Sequence, residues 1–347
     1  MKNSPTPSRS KFAALVLLTT AAVSLFAADG LSPVATRDRK VIRRWALPGD
    51  PCGVAVGADG TVYVGLAESQ SVIGVDPETG AIRKRVVLDS AHIASTKELV
   101  TLRTNPDRTR LFIANGSDES ALILSLPDLA VLREITMEGE TIRDVVPDPK
   151  GRYVYVLGRR VHVFDREGDT ELRTLNVENP MAIAASNTSL AVLATENFGN
   201  AKATAVTLFD ARTFSQTARE PMQTEEPIEG ALFAAGERSL VAFGRNALYE
   251  KSLNTRGLVH SNRVCMPEGS GPQVATLAGS ETLVVFGERR CSASGVLTAS
   301  PRGITPASLY GVAAYAIAFD PKSSSVVATD RAGFLTVYQV PRPALAK

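Results

Sequence analysis

The chain has 347 residues, a formal net charge of +2 and three cysteines. A near-neutral chain has no bulk attraction for nucleic acid or an anionic membrane, and three cysteines are too few for a disulfide-built scaffold. The length suits one large β domain behind an N-terminal leader.

That leader comes first in the chain. Lys2, Arg9 and Lys11 precede an uncharged, mostly apolar run from Phe12 to Ala27 that closes on small residues. This is the pattern of a secretory signal peptide over 1–28, cut near Ala27 or Ala28, although Leu25 and Phe26 fit a small-residue cleavage site poorly. A single-span anchor is the rival reading, and the run is shorter than the roughly 20 residues such a helix needs. No cysteine stands near the cut, which argues against an acylated lipoprotein. The expected destination is therefore export, to the periplasm or the extracellular space.

From Pro51 to Leu88 four short apolar-alternating runs follow one another: Val54 to Val56, Val62 to Val64, Val72 to Val75, and Ala81 to Leu88. Ala58-Asp59-Gly60 and Pro77-Glu78-Thr79-Gly80 separate them as turns, because Gly supplies positive φ and Pro presets the first turn torsion. Four antiparallel strands in about 40 residues make one propeller blade. Copies recur down the chain. The second spans Glu98 to about Glu138 and the third starts at Ile142. The fourth starts at Pro180, with a longer loop expected from Glu196 to Lys202. The fifth and sixth, from Ala231 and Val274, are worn, and the seventh, from Ala316, is clear again.

The seventh copy has only three strands before the chain ends. Val41 to Leu47 supplies a fourth, whose arginines suit an outermost strand, so closure by Val41–Leu47 beside Phe334–Val340 is expected; an unpaired edge would otherwise remain. The fold class is thus all-β: a seven-bladed β-propeller of four-stranded antiparallel blades over 41–341, after a linker at 29–40 and before a tail at 342–347. Six- or eight-bladed rings and a β-sandwich pair are the alternatives. No segment beyond the leader has a helical pattern of convincing length.

Val62-Tyr63-Val64-Gly65, followed by Ser71-Val72-Ile73-Gly74-Val75-Asp76-Pro77-Glu78-Thr79-Gly80, resembles the YVTN-type β-propeller repeat. Phe112-Ile113-Ala114-Asn115 and Tyr153-Val154-Tyr155-Val156 are similar to the same segment. The resemblance covers roughly residues 41 to 341 and is strongest in copies one, two, three and seven. It implies architecture. The related propellers include lactone hydrolases, a lyase, electron-transfer subunits and binding proteins, so it implies no single chemistry.

In such a fold the loops leading into the first strands and those joining second to third strands share one face, the mouth of the central channel. The binding candidates there are His92, Arg143, Glu196, Asn197, Glu229, Arg289, Arg290 and Arg331. Glu225, Glu226 and Glu229 form either a hard-cation site or, the favoured reading, a solvated acidic loop. Arg143, Arg289, Arg290 and Arg331 either surround an anion or are ordinary exposed arginines. Of the three histidines, His92 alone is placed for a central site; His162 is read as packed between blades and His260 as a rim residue. No local zinc spacing exists, and no metal site is assigned. No Cys-x-x-Cys-His is present, so covalent haem is not expected, and no cofactor is assigned. Asp59-Gly60-Thr61 is read as a turn and Cys52 as a small core residue. Cys265 and Cys291 are candidate partners for a disulfide.

The leading functional expectation is an exported, monomeric, non-catalytic propeller that binds a protein, peptide or polymer on the mouth face, with no nucleic-acid partner. The alternative is a lactonase-like or lyase-like enzyme using glutamate, arginine and His92 in the channel; no catalytic residue is assigned.

Overall fold

The computed structural model describes residues 30–34, 41–88, 101–116, 118–198, 201–234, 237–244, 247–253, 259–263, 273–276, 282–286, 295–300, 303–309 and 314–339; at 197–198, 201–202, 247 and 259–309 only the backbone is described. Those residues form 29 strands, and none of them is helical.

The first two strands are β1 (Ser32–Pro33) and β2 (Val41–Ala46). The first four-stranded sheet follows with β3 (Pro51–Val56), β4 (Val62–Leu66), β5 (Ser71–Val75) and β6 (Ile82–Val87). The next comprises β7 (Thr101–Thr104), β8 (Arg110–Ala114), β9 (Ser120–Ser125) and β10 (Val131–Thr136). A third comprises β11 (Asp144–Pro147), β12 (Tyr153–Leu157), β13 (Val161–Asp165) and β14 (Glu171–Leu175). A fourth comprises β15 (Pro180–Ala185), β16 (Ser189–Phe198), β17 (Ala201–Asp210) and β18 (Gln216–Met222). Then come β19 (Gly230–Ala234), β20 (Ser239–Phe243), β21 (Ala247–Ser252) and β22 (Val259–Arg263), and after them β23 (Gln273–Thr276), β24 (Thr282–Phe286), β25 (Gly295–Ser300) and β26 (Gly303–Leu309). The last three strands are β27 (Ala316–Asp320), β28 (Ser325–Thr329) and β29 (Phe334–Gln339).

Each group of four pairs in chain order as an antiparallel meander, and the remaining sheet runs β1-β2-β29-β28-β27. First strands stand beside first strands: β3 lies against β7 and β27, β11 against β7 and β15, β15 against β19, and β23 against β27. Four-stranded meanders standing side by side through their first strands form the arrangement of a β-propeller. The cores lie between successive sheets. Leu111, Ile113, Leu122 and Leu124 pack on the first sheet's Tyr63 and Val72, while Phe112, Ala114 and Ile123 pack on the third sheet's Val154, Val156 and Phe164. The period-2 alternation therefore feeds two different interfaces, and both faces of a middle strand are buried. A large apolar side chain buried this way contributes about 1.5–3 kcal/mol.

The turns form where turn residues were read. In the β3–β4 turn Gly60 takes φ +87°, and the Asp59 carboxylate accepts the Thr61 amide at 2.9 Å and its hydroxyl at 2.6 Å. On β6, Arg83 donates to Asp59 at 3.0 Å, to Thr61 at 2.9 Å and to Asp76 at 2.7 Å, fastening the outer strand to both turns.

Four details correct the sequence reading. The loop expected from Glu196 to Lys202 is instead the end of a long hairpin, with Glu196 opposite Ala203 and Phe198 opposite Ala201. Two residues, Gly199 and Asn200, separate those strands, a hairpin signal that the expected loop overlooked. The first strand of the third copy begins at Asp144 and ends at Pro147, later than Ile142. The stretch 29–40 is not only a linker, since Ser32–Pro33 pair with Ala46 and Trp45, Gly30 bridges to Ala81 and Leu31 is buried. Consequently β2 is not outermost, because β1 covers it. Its Arg44 points back into the sheet, donating to Asp330 at 3.1 Å and lying 4.0 Å from the centre of the Phe334 ring.

Candidate functional site

Where the first strands converge they enclose a cavity of about 1070 Å³ lined by residues of β3, β7, β11, β15, β19 and β27. That volume is just above the usual range for small-molecule sites. Apolar side chains, Val54, Leu102, Val146, Met181 and Phe243 among them, share the wall with polar surface of about equal extent. The charged lining consists of Arg103, Arg108, Arg143, Asp144 and Glu229.

Two of the three arginines are paired with carboxylates. Arg103 on β7 reaches Asp144 at the start of β11 through two parallel hydrogen bonds, Nε to Oδ1 at 3.0 Å and Nη2 to Oδ2 at 2.8 Å. This bidentate pair joins the second and third sheets across the cavity wall. Burial opposes the Arg103 charge, but Asp144 outweighs it and raises the guanidinium above its ordinary pKa. At the far end, Arg108 occupies the β7–β8 turn with φ +58°. It donates to the Phe319 carbonyl at 3.3 Å and stands 3.8 Å from Asp320 on β27, which ties the second sheet to the last.

Arg143 differs. Its Nη2 donates to the carbonyl of Gly158 at 2.5 Å and to that of Pro180, bridging the third and fourth sheets at the mouth. Burial lowers its pKa from the ordinary arginine value, and the charge of Glu140 acts the other way. No carboxylate forms a salt bridge with it among the described residues.

The remaining candidates are dispersed around the mouth. Glu229 lines the cavity, and its amide donates to the Phe243 carbonyl at 2.8 Å. Glu196, on the long β16–β17 hairpin, accepts from Arg219 of β18; Asn197 is on the same hairpin, opposite Lys202. Arg331 follows β28, with its guanidinium 5.1 Å from the centre of the Tyr315 ring. Arg143 and Glu229 therefore share the cavity, whereas Glu196 and Arg331 do not line it. His92, Arg289, Arg290, Cys265 and Cys291 lie outside the described residues, as does the side chain of His260. Cys52 is buried at 1% exposure among Ala55, Tyr63 and Leu102, and burial pushes its thiol up to about 12. This is a core residue with little thiolate character.

The hairpin has its own geometry. The last inner-strand partner of β16 is Pro180, opposite Ala194, and the last outer-strand partner of β17 is Met222, opposite Thr204. Three pairs, from Glu196↔Ala203 to Phe198↔Ala201, extend past both neighbours. At about 3.3 Å per residue they overhang the mouth by about 10 Å.

His162 was expected to be a packed residue, and it is buried, but it also has partners that sequence spacing could not reveal. Its Nδ1 is 2.9 Å from Glu171 Oε1 and its Nε2 is 3.3 Å from Glu140 Oε2. Burial works against the Glu171 charge, but hydrogen bonds from Thr174 and His162 outweigh it and hold the carboxyl below its ordinary pKa. Glu140 also accepts the Arg160 amide at 2.9 Å, so the connection leading into β11, and to Arg143, is clipped to the β12–β13 turn. Among the described residues no group of three or more His, Cys, Asp or Glu side chains is placed to hold a metal ion. Arg103, Arg108 and Asp144 are the cavity residues that sequence reading missed. The available signal for Arg103 and Asp144 was a charged residue on a first strand; Arg108, in the β7–β8 turn, had none.

No protein-family model matches the sequence, and no match was found among curated proteins. Solved structures do resemble it. A chain of Kuenenia stuttgartiensis hydrazine synthase aligns with a TM-score of 0.66 at 13% identity, covering 85% of this chain and 96% of that one. A chain of the mitotic checkpoint complex aligns with a TM-score of 0.67 at 14% identity, covering 93% of this chain and 100% of that one. At such identities the likeness carries the fold alone, and together with the antiparallel four-stranded sheets it makes this chain a β-propeller.

Proposed function

We propose that this chain is an exported, monomeric binding or scaffold protein without catalytic activity, which takes a protein, peptide or polymer partner on its mouth face. In this reading the propeller has seven blades over residues 41–341, of the YVTN type, and is closed by β2 completing the last blade. Pairing of β2 with β29 supports closure, and the leader-like pattern of residues 1–28 supports export.

The observation that carries the functional reading is the β16–β17 overhang. Among the described residues its three outermost pairs have no partner strand on either side, and a strand edge is a template for recognising another chain. Around it charged groups are held by structural contacts: Arg103 by Asp144, and Glu196 by Arg219. These contacts make the face a rigid platform, which lowers the cost of association. One structural neighbour belongs to a multiprotein complex, which agrees with protein binding.

A pull-down from periplasm or culture fluid tests this reading. Immobilised wild-type protein is expected to retain a discrete species that is lost when residues 196–203 are replaced by a two-residue Asn-Gly turn. Identical retention by the two forms, or nothing above a blank matrix, would reject it.

A further inference from the structure

We propose that the mouth of the cavity binds the carboxylate of an apolar ligand, with Arg143 as the anchoring cation. The inference rests on the mouth face being the binding face and names the ligand chemistry it selects.

Charge is the first argument. Three arginines line the cavity against two carboxylates, Asp144 and Glu229. Asp144 is spent on Arg103, and Arg108 has Asp320. Arg143 alone among these arginines has only main-chain carbonyls as described partners, and both bonds come from its Nη2. Two carbonyls fix the guanidinium, Glu140 acts on its charge without forming a salt bridge, and Nε and Nη1 keep N–H groups for another acceptor. An arginine held in this way is preorganised for a planar, two-oxygen anion.

Shape is the second argument. Next to the Pro180 carbonyl that holds Arg143 comes Met181, and further round the mouth Phe243 packs over Gly230 so closely that a Cβ there would be 2.4 Å from the ring. Met181, Phe243 and Leu232 line the cavity, and Met181 is fixed by the Thr195 hydroxyl at 2.7 Å from its sulfur. The apolar patch of Met181, Phe243 and Leu232, with a fixed cation at its edge, suits an apolar body carrying one anionic head. A small organic acid and the C-terminus of an apolar peptide both have that chemistry.

Calorimetry on the mature protein separates the two sources. The probes are hexanoate with neutral hexanamide, and N-acetyl-Leu-Phe with its C-terminal amide. Binding of at least one acid, more than tenfold tighter than its neutral counterpart, is expected; the acid that binds identifies the source. Arg143→Met should weaken it more than tenfold, and Arg143→Lys should restore part of the loss. Because Arg143→Met also removes a bond within the third sheet and one between the third and fourth, Met181→Glu, which places a negative charge beside the anchor to repel the ligand carboxylate, serves as a second test and should abolish acid binding with the circular dichroism unchanged. Equal binding of acid and amide, no binding of either acid at millimolar concentration, or unchanged affinity in Met181→Glu would overturn the proposal. The partner pull-down is independent of these probes. A partner retained without acid binding would sink the carboxylate site alone, and acid binding without a partner would sink the platform reading alone.

Discussion

Trp45, the only tryptophan, offers a sharp energetic test of how β2 packs on the first sheet. It sits on β2 opposite Leu335 at 7% exposure, yet its indole crosses to the first sheet, where Nε1 donates to the Pro77 carbonyl at 3.1 Å. The ring rests on Gly80. A Cβ at Gly80 would be 2.6 Å from Trp45 Cε3, and φ at Gly80 is +74°. Trp45→Ala should cost about 3–5 kcal/mol, the usual loss for a buried aromatic. Gly80→Ala should cost about 1–2 kcal/mol for the left-handed backbone, plus about 1–3 kcal/mol for displacing the ring. With Trp45 already replaced by alanine, only the backbone cost should remain. The double-mutant cycle should therefore show a coupling of about 1–3 kcal/mol, the double variant being more stable than additivity allows. Urea unfolding followed by far-UV circular dichroism gives all four stabilities without depending on tryptophan fluorescence. Costs that add to within about 0.5 kcal/mol, or a Trp45→Ala cost below about 1 kcal/mol, would refute the packing described at this seam.

Three further outcomes are expected. Replacing residues 196–203 by Asn-Gly should change stability by less than about 1 kcal/mol in urea titration, since the bare pairs support no neighbouring strand and the lost Glu196–Arg219 contact involves a half-exposed arginine. Asp144→Ala should cost about 1–3 kcal/mol, less than breaking a fully buried pair because the Arg103 side chain keeps 41% exposure; Arg103→Met/Asp144→Leu should recover part of it, and a double variant worse than the single one would contradict this. The third concerns pH. Asp330 is raised above its ordinary pKa, by burial first, against hydrogen bonds from the Phe334 amide and Arg44, so its contribution is present below the unfolded carboxylate pKa and lost as pH rises through the folded value. Asp76 is lowered: burial opposes its charge, but Arg83 and the Glu78 and Thr79 amides outweigh it, so its contribution is lost as pH falls through the folded value. Urea midpoints relative to Asp330→Asn and Asp76→Asn should therefore shift in opposite directions on acidification, and parallel shifts would show that one sign is wrong.

The middle strands were legible because both faces are buried. Runs such as Val62 to Leu66 and Tyr153 to Leu157 are apolar on both sides, and their turn residues punctuate them. The outer strands β14 and β18 were not read, for the opposite reason. Glu171-Leu172-Arg173-Thr174 is exposed at every position, and Gln216–Met222 buries only its last residue, so no alternation marks them as strands. The site was legible only in part. Sequence order places Arg143 and Glu229 at the mouth, but the pairing of Arg103 with Asp144, 41 residues apart, and the enclosure of His162 by Glu140 and Glu171 depend on how sheets meet. Spacing along the chain contains no such information.

The most direct measurement is site-specific photocrosslinking on the full chain. A benzophenone side chain at Glu196, on the overhang at the mouth, is compared with one at Lys150, an exposed position on the β11–β12 turn at the opposite end. Discrete crosslinked species from position 196 and none from position 150 are the expected result. Equal labelling from both ends, or labelling from position 150 alone, would contradict binding on the mouth face.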